Sequence, residues 1–234
     1  MNTKPIIFSG PMVRAILDGR KTQTRRIFKV RGPMGVSYPV TCPEESLIEL
    51  YDNELRDDGT INYLSTGALS GPYECPYGKP GDLLWVRESW QALSFGDYLP
   101  TKDHVSDVRY MATDKLADLD KDTRGWPWRP SIHMPRWASR ITLEITDVRV
   151  QRLQDISQKD ADSEGVWETD FYQDAVEHAS AVGCGTGFIP KQAFEHLWSS
   201  INGPDSWVSN PWVWAVTFNP YLVNVDSLIE GMTK

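Results

Sequence analysis

The sequence predicts an α+β protein built around a small mixed sheet or barrel, and three observations point there. The apolar runs are short and read as strands, as in Leu83-Leu84-Trp85-Val86 and Trp212-Val213-Trp214-Ala215-Val216. Only a few stretches carry a helical apolar stripe. Strands and helices also do not alternate in the order that builds a doubly wound parallel sheet. With 234 residues, 40% of them hydrophobic and 11% aromatic, the chain is long enough and apolar enough to bury a core.

Taken in order, Ile6-Ile7-Phe8 reads as a first strand. Ser9 can cap the helix that follows, with Pro11 in its first turn, where a missing N–H costs nothing. Met12, Ala15 and Ile16 form its apolar face, and Gly19 suits the left-handed position that ends a helix. Residues 29 to about 80 are irregular, with weak periodicity except around Ser46–Tyr51, and read as an insertion with a hairpin. The Gly78-Lys79-Pro80-Gly81-Asp82 turn precedes a buried strand over Leu83–Glu88. Residues 91–137 read as a second, loop-like insertion, and Arg140–Thr146 alternates as a half-buried strand. Ser157-Gln158-Lys159-Asp160 has capping-box spacing and opens a helix carrying Ala161 and Glu164, closed by Gly165. A third insertion spans 167–189. Pro190 then starts a helix with Phe194, Leu197, Trp198 and Ile201 on one face, before the last strand over Trp212–Phe218. The expected organisation is a single domain over 1–224 with a loose tail at 225–234.

No run approaches the roughly 20 apolar residues of a membrane helix, and the N-terminal apolar stretch is too short for a signal peptide. The expectation is a cytoplasmic protein without a membrane partner. Cys42, Cys75 and Cys184 are odd in number and far apart, and no Cys-x-x-Cys or His-x-x-x-His pair starts a zinc site. No metal and no cofactor is expected, since the chain also lacks a glycine-rich phosphate loop. Nothing in it names a protein partner.

The net charge is −8, yet residues 1–40 hold eight cations against Asp18 alone. Four of those cations fall in Gly19-Arg20-Lys21-Thr22-Gln23-Thr24-Arg25-Arg26. Charge statistics alone read such a run as a solvated helix end, because cations are favoured there by the helix dipole. A local basic patch on an acidic body can also focus an anionic ligand.

Gly19-x-Lys21 followed by Arg26 resembles the Gly-x-Lys-x-x-x-x-Arg pattern of the ASCH domains, which share a PUA-like β-barrel. Gly81-Asp82 before an apolar strand and the Trp-rich last strand strengthen the likeness, and the chain resembles the larger ASCH-domain proteins of bacteriophages and prophages. The resemblance covers the pieces around 5–30, 79–90, 138–166 and 190–218. It implies a PUA-like mixed barrel with flanking helices and long loop insertions, and an RNA- or nucleoside-directed role. The small bacterial members include amidohydrolases that deacetylate N(4)-acetylcytidine. Carried over position by position, their Lys, Thr and Glu fall on Lys21, Thr24 and Glu164.

That set has a chemical logic. Amide hydrolysis needs a nucleophile, a base and a donor for the oxyanion. Thr24 can supply a hydroxyl and Lys21 the base, if neighbouring cations and burial lower its pKa to about 7–8. Glu164 can orient water or protonate the leaving amine, and Arg26 can face the oxyanion. The condition is geometric: positions 21 and 24 of an extended strand point to opposite faces. Arg20, Arg26, Asp82 and Trp137 complete the expected ligand-binding residues, for a modified nucleoside or RNA. Asp82 reads first as a turn residue. Trp90, Trp126, Trp128 and Trp137 lie in polar stretches, where they either pin loops to the body or stack a nucleobase. Two other readings of the basic run stay open: a non-catalytic RNA or single-strand binding module, and a ribonuclease using Lys21 and Arg26 on phosphate.

Overall fold

A computed structural model describes residues 1–31, 37–39, 48–49, 60–65, 71–104, 106–181 and 189–233. In chain order its elements begin with β1 (Thr3–Ile7), α1 (Gly10–Leu17), β2 (Gln23–Ile27), β3 (Lys29–Arg31), β4 (Ser37–Pro39), β5 (Ile48–Glu49), β6 (Thr60–Ser65) and β7 (Gly71–Glu74). Then come β8 (Leu83–Arg87), β9 (Trp90–Leu93), β10 (Pro100–Thr101), β11 (Asp107–Tyr110) and α2 (Lys121–Arg124). The chain closes with β12 (Thr142–Arg152), α3 (Gln158–Ser163), α4 (Asp170–Ala181), α5 (Ile189–Asn202), β13 (Trp212–Tyr221) and α6 (Val225–Met232). Helices thus combine with mostly antiparallel strands. Among the described residues no sheet closes into the expected barrel. No helix among them is long and apolar enough to cross a membrane.

The chain divides into two compact units. The first unit comprises Met1–Gly19, Gly81–Glu144 and Asn219–Lys234. In it β1 lies parallel to β8, from Thr3 opposite Leu83 to Ile7 opposite Arg87, and the start of β12 pairs antiparallel with β8. Strand β1 occupies the edge, which is where Pro5 is tolerated, since it has no N–H to donate inward. Ser9 does sit at the N-cap of α1, but its side chain makes no capping bond.

Residues 91–137 are more ordered than the sequence suggests. Strands β10 and β11 flank β9 in an antiparallel sheet. The β9 stretch Trp90-Gln91-Ala92-Leu93 is buried throughout, so it shows no polar–apolar alternation by which it could be recognised. Trp90, Ala92, Met134 and Ala138 form a core there, with Trp137, Tyr110 and Val108 packed against it. Trp126 and Trp128 meet edge to face at 4.6 Å with Arg124 against both rings, so these two tryptophans pin their loop. The terminal residues, expected as a loose tail, contain α6. Asn224 caps it by accepting from Asp226 N–H, while its amide donates to the carbonyls of Arg136, Trp137 and Ser139.

The second unit comprises Arg20–Pro80 and Ile145–Phe218. Strands β2 and β13 pair antiparallel, with Gln23 opposite Thr217 and Ile27 opposite Val213. The hairpin expected in the first insertion corresponds to the antiparallel pairing of β6 with β7, and β5 also pairs with β6. Most of the Ser46–Tyr51 stretch lies outside the described residues. In α5 the buried face is Ile189, Pro190, Ala193, Phe194 and Trp198, whereas Ile201 is exposed. The third expected insertion contains the helix α4. Leu153, Ile156, Val166, Tyr172, Phe194, Trp198, Trp207 and Val213 join in one core cluster.

The adjacent Arg87 and Glu88 take separate partners. Arg87 donates to the carbonyls of Met134 and Ile132. Glu88, 2% exposed, takes a two-pronged contact from Arg140, at 2.8 Å and 3.0 Å. Burial raises the Glu88 pKa above its ordinary value, with Arg140 opposing. R140Q should therefore cost roughly 3 kcal/mol at neutral pH, since it strands a buried carboxylate. Without Arg140 the folded-state pKa of Glu88 rises further, so the variant loses stability as pH rises from about 4.5. Urea titrations should then show the gap between wild type and variant shrinking from pH 7 to pH 5; a constant gap would contradict this account.

Candidate functional site

The basic run leaves α1 through Gly19, whose φ of +72° is the left-handed value that glycine adopts readily. Two residues later Lys21 is wholly buried. Backbone bonds fix this entry: Thr22 N–H donates to Ser163 O at 2.9 Å, and Phe218 N–H donates to Thr22 O at 2.9 Å. The start of β2 is thereby held between the C-terminal end of α3 and the strand β13.

The helix α3 presents the acids. Ser157 caps it as expected, accepting from Asp160 N–H at 3.0 Å. Asp160 and Glu164 are four residues apart, so both carboxylates lie on one side of the helix. Asp160 does not reach back to complete the capping box; its carboxylate faces Gln23 and Arg25 instead. Gly165 follows with φ +76° and turns the chain away just after Glu164.

The Lys21 ammonium donates to Glu164 Oε2 at 2.7 Å, Glu164 O at 2.8 Å and Gln23 O at 2.8 Å. Those three acceptors match its three protons. Arg25 donates to the other Glu164 oxygen at 3.0 Å, to Gln23 Oε1 at 2.7 Å and to Asp160 Oδ2 at 3.3 Å. Its guanidinium also lies 5.8 Å from the centre of the Phe194 ring. Gln23 Nε2 donates in turn to Thr217 Oγ1 at 3.0 Å and more weakly to Asp160 Oδ1 at 3.4 Å. Arg149 approaches Asp160 from β12, at 3.6 Å. Glu164, only 4% exposed, is thus a carboxylate shared between two buried cations. Complete burial holds the Lys21 pKa below its ordinary 10.5; Glu164 opposes that shift, while Arg26 and Arg25 reinforce it.

Of the expected catalytic set, the fold brings Lys21 and Glu164 together. It does not bring Thr24 to them. Gln23 and Arg25 both turn toward α3, so Thr24, between them in β2, takes the opposite face. On that face Thr24 stands opposite Val216, and Arg26 opposite Trp214. The direct Thr24–Lys21 mechanism loses its geometric condition for this reason. Arg26 and Arg20 are half-buried. Asp82 and Trp137 belong to the first unit, where Asp82 accepts from Asn2 N–H at 2.6 Å.

Gln23, Arg25 and Asp160 join the site beyond the expected residues, and the sequence carries a signal for them. Lys21, Gln23 and Arg25 share one parity along the chain, and set against acids four apart on a helix they predict a cationic, hydrogen-bonding row facing an acidic one. Comparison with protein-family models, curated proteins and solved structures gives no match.

The arrangement makes the two partners unequal. E164A takes the carboxylate from Lys21 and leaves Arg25 only its longer contact to Asp160, and should cost about 3–5 kcal/mol. K21M should cost clearly less, because Glu164 keeps Arg25. Between the lowered folded pKa of Lys21 and 10.5 the unfolded chain binds more protons, so wild type gains stability with rising pH in that window. K21M should lack that gain. Denaturant titrations from pH 7 to 10 read both effects, and equal costs for the two variants would contradict the shared-carboxylate geometry.

Proposed function

We propose that this is an ASCH-like protein directed at nucleosides or RNA, and that its most concrete activity is hydrolysis of an N(4)-acylated cytidine. The PUA-like barrel belongs to the same proposal. The observation that carries it is the 2.7 Å contact between Lys21 and Glu164, residues 143 positions apart in sequence and both picked out by the family resemblance.

In this reading water, not Thr24, attacks. The water oxygen bonds to the acyl carbon while the bond from that carbon to N4 breaks. Glu164 takes the proton the water loses and passes it to N4, so a carboxylic acid and cytidine leave. Lys21 holds Glu164 in place and faces it with positive charge, which the developing oxyanion also requires. Lys21 is fully buried and Glu164 nearly so, and the contact must open for substrate to reach it.

That closure favours a second reading, in which the pair is structural and the protein binds RNA without turnover. The two separate in one assay. Purified protein with N(4)-acetylcytidine should release cytidine, with E164Q lowering the rate by at least roughly 100-fold and T24V leaving it within about threefold, a bound set by Thr24 facing away. Activity lost in T24V would restore the threonine as nucleophile. No cytidine, together with a salt-dependent shift of intact labelled RNA, would establish the binding reading.

A further inference from the structure

The first unit contains a cavity of about 510 Å³ lined by Trp90, Lys102, Arg129, His133, Pro135 and Trp137. Its composition is unusual for a protein of net charge −8. Two indoles and an imidazole share it with two fixed cations. Neither Lys102 nor Arg129 pairs with a carboxylate among the described residues.

The walls are held in place from behind. Trp90 and Arg129 are joined by a pair of backbone bonds, Arg129 N–H to Trp90 O at 2.8 Å and Trp90 N–H to Arg129 O at 3.2 Å. The Arg129 guanidinium then sits 5.6 Å from the Trp90 ring centre. Arg87 ties down the carbonyls on either side of His133. Asn224 and the Tyr110 hydroxyl bind the carbonyls around Trp137, which stands edge-on to Trp90 at 5.8 Å. The indole N–H of Trp90 is buried and has no acceptor among the described residues. The face of Trp137 accepts a flat heteroaromatic ring: the exposed His104 imidazole lies over it at 4.6 Å and 23°.

We propose that this cavity is a nucleotide site, in which a nucleobase takes the place of the exposed His104 imidazole on Trp137 and its phosphate is held by Arg129 and Lys102. Aromatic faces recognise any base through its π surface, and the cations supply the anion recognition that a bare nucleoside would not use. A volume of about 510 Å³ falls within the roughly 300–1,000 Å³ of small-ligand sites. The proposal stands apart from the Lys21–Glu164 reading, because it uses no residue of the second unit.

The test is titration of the full chain by tryptophan fluorescence and calorimetry with a nucleoside 5′-monophosphate, the nucleoside, ribose 5-phosphate and a short single-stranded oligonucleotide. The monophosphate should bind saturably and at least roughly tenfold more tightly than the nucleoside or the sugar phosphate, since each lacks one of the two contacts. An oligonucleotide that binds more tightly identifies a strand as the source of the nucleotide, and one that does not identifies the free form. R129Q and K102A change half-buried and exposed side chains, respectively, and should each weaken the monophosphate with little effect on the nucleoside. W137F should restore most of the stacking that W137A loses. Absence of saturable nucleotide binding, or binding indifferent to both R129Q and K102A in folded protein, overturns the proposal.

Discussion

The interaction on which the second unit turns is the burial of Lys21 under Glu164. An ammonium removed from water costs several kcal/mol unless its protons and its charge are both answered. Here two carbonyls and a carboxylate answer the protons, and Glu164 answers the charge. That solution requires the C-terminal end of α3 to lie against the start of β2. The backbone bond from Thr22 to Ser163 records the same contact. Arg25 then takes the remaining Glu164 oxygen and recruits Asp160, so the whole N-terminal half of β2 is fixed by charge on one face and by β13 pairing along its edge.

A shared carboxylate between two buried cations is poorly interchangeable. Removing one cation leaves a pair, whereas removing the carboxylate takes the near anion from both cations and leaves Arg25 only the longer contact to Asp160. The same asymmetry bears on chemistry. Burial pulls the Lys21 pKa down and Glu164 pulls it back, and the protonation state within the site depends on which influence a substrate disturbs. A ligand that parted the two would change both at once. A closed pair of this kind is therefore compatible with a working acid–base couple only if it opens, and with a structural clamp if it does not.

How much of this was legible depends on what each residue announces locally. The strand over Leu83–Arg87, the cap at Ser157 and the helix after Pro190 follow from apolar runs and punctuation that survive in the fold. The α6 helix stands where a loose tail is expected although Asn224-Val225-Asp226 carries a capping signal, because an eight-residue helix near a chain end gives little periodicity to support it. In β9, Gln91 is fully buried among apolar neighbours, so the strand carries no alternation at all. In the candidate site, Lys21 and Glu164 were recognisable only through the family pattern. Arg25 and Asp160 looked like a spare cation and a helix cap, since facing rows of charge exist only once β2 and α3 are laid together.

The basic run itself changes meaning most. Read as sequence, its four cations form a patch able to draw in a polyanion. In the fold, Lys21 and Arg25 turn inward and are neutralised by Glu164 and Asp160, while Arg26 takes the other face of β2. The run therefore offers far less outward charge than its composition suggests. Cations without a carboxylate partner among the described residues occur instead around the Trp90–Trp137 cavity, in a stretch whose charge looks balanced because acids such as Asp103 and Asp107 are interspersed with Lys102 and Arg109. Arg109 is taken by Asp107 and Asp114, whereas Lys102 and Arg129 line the cavity. Net charge along a sequence counts ions. Which of them can meet a ligand is decided by pairing, and pairing is a property of the fold.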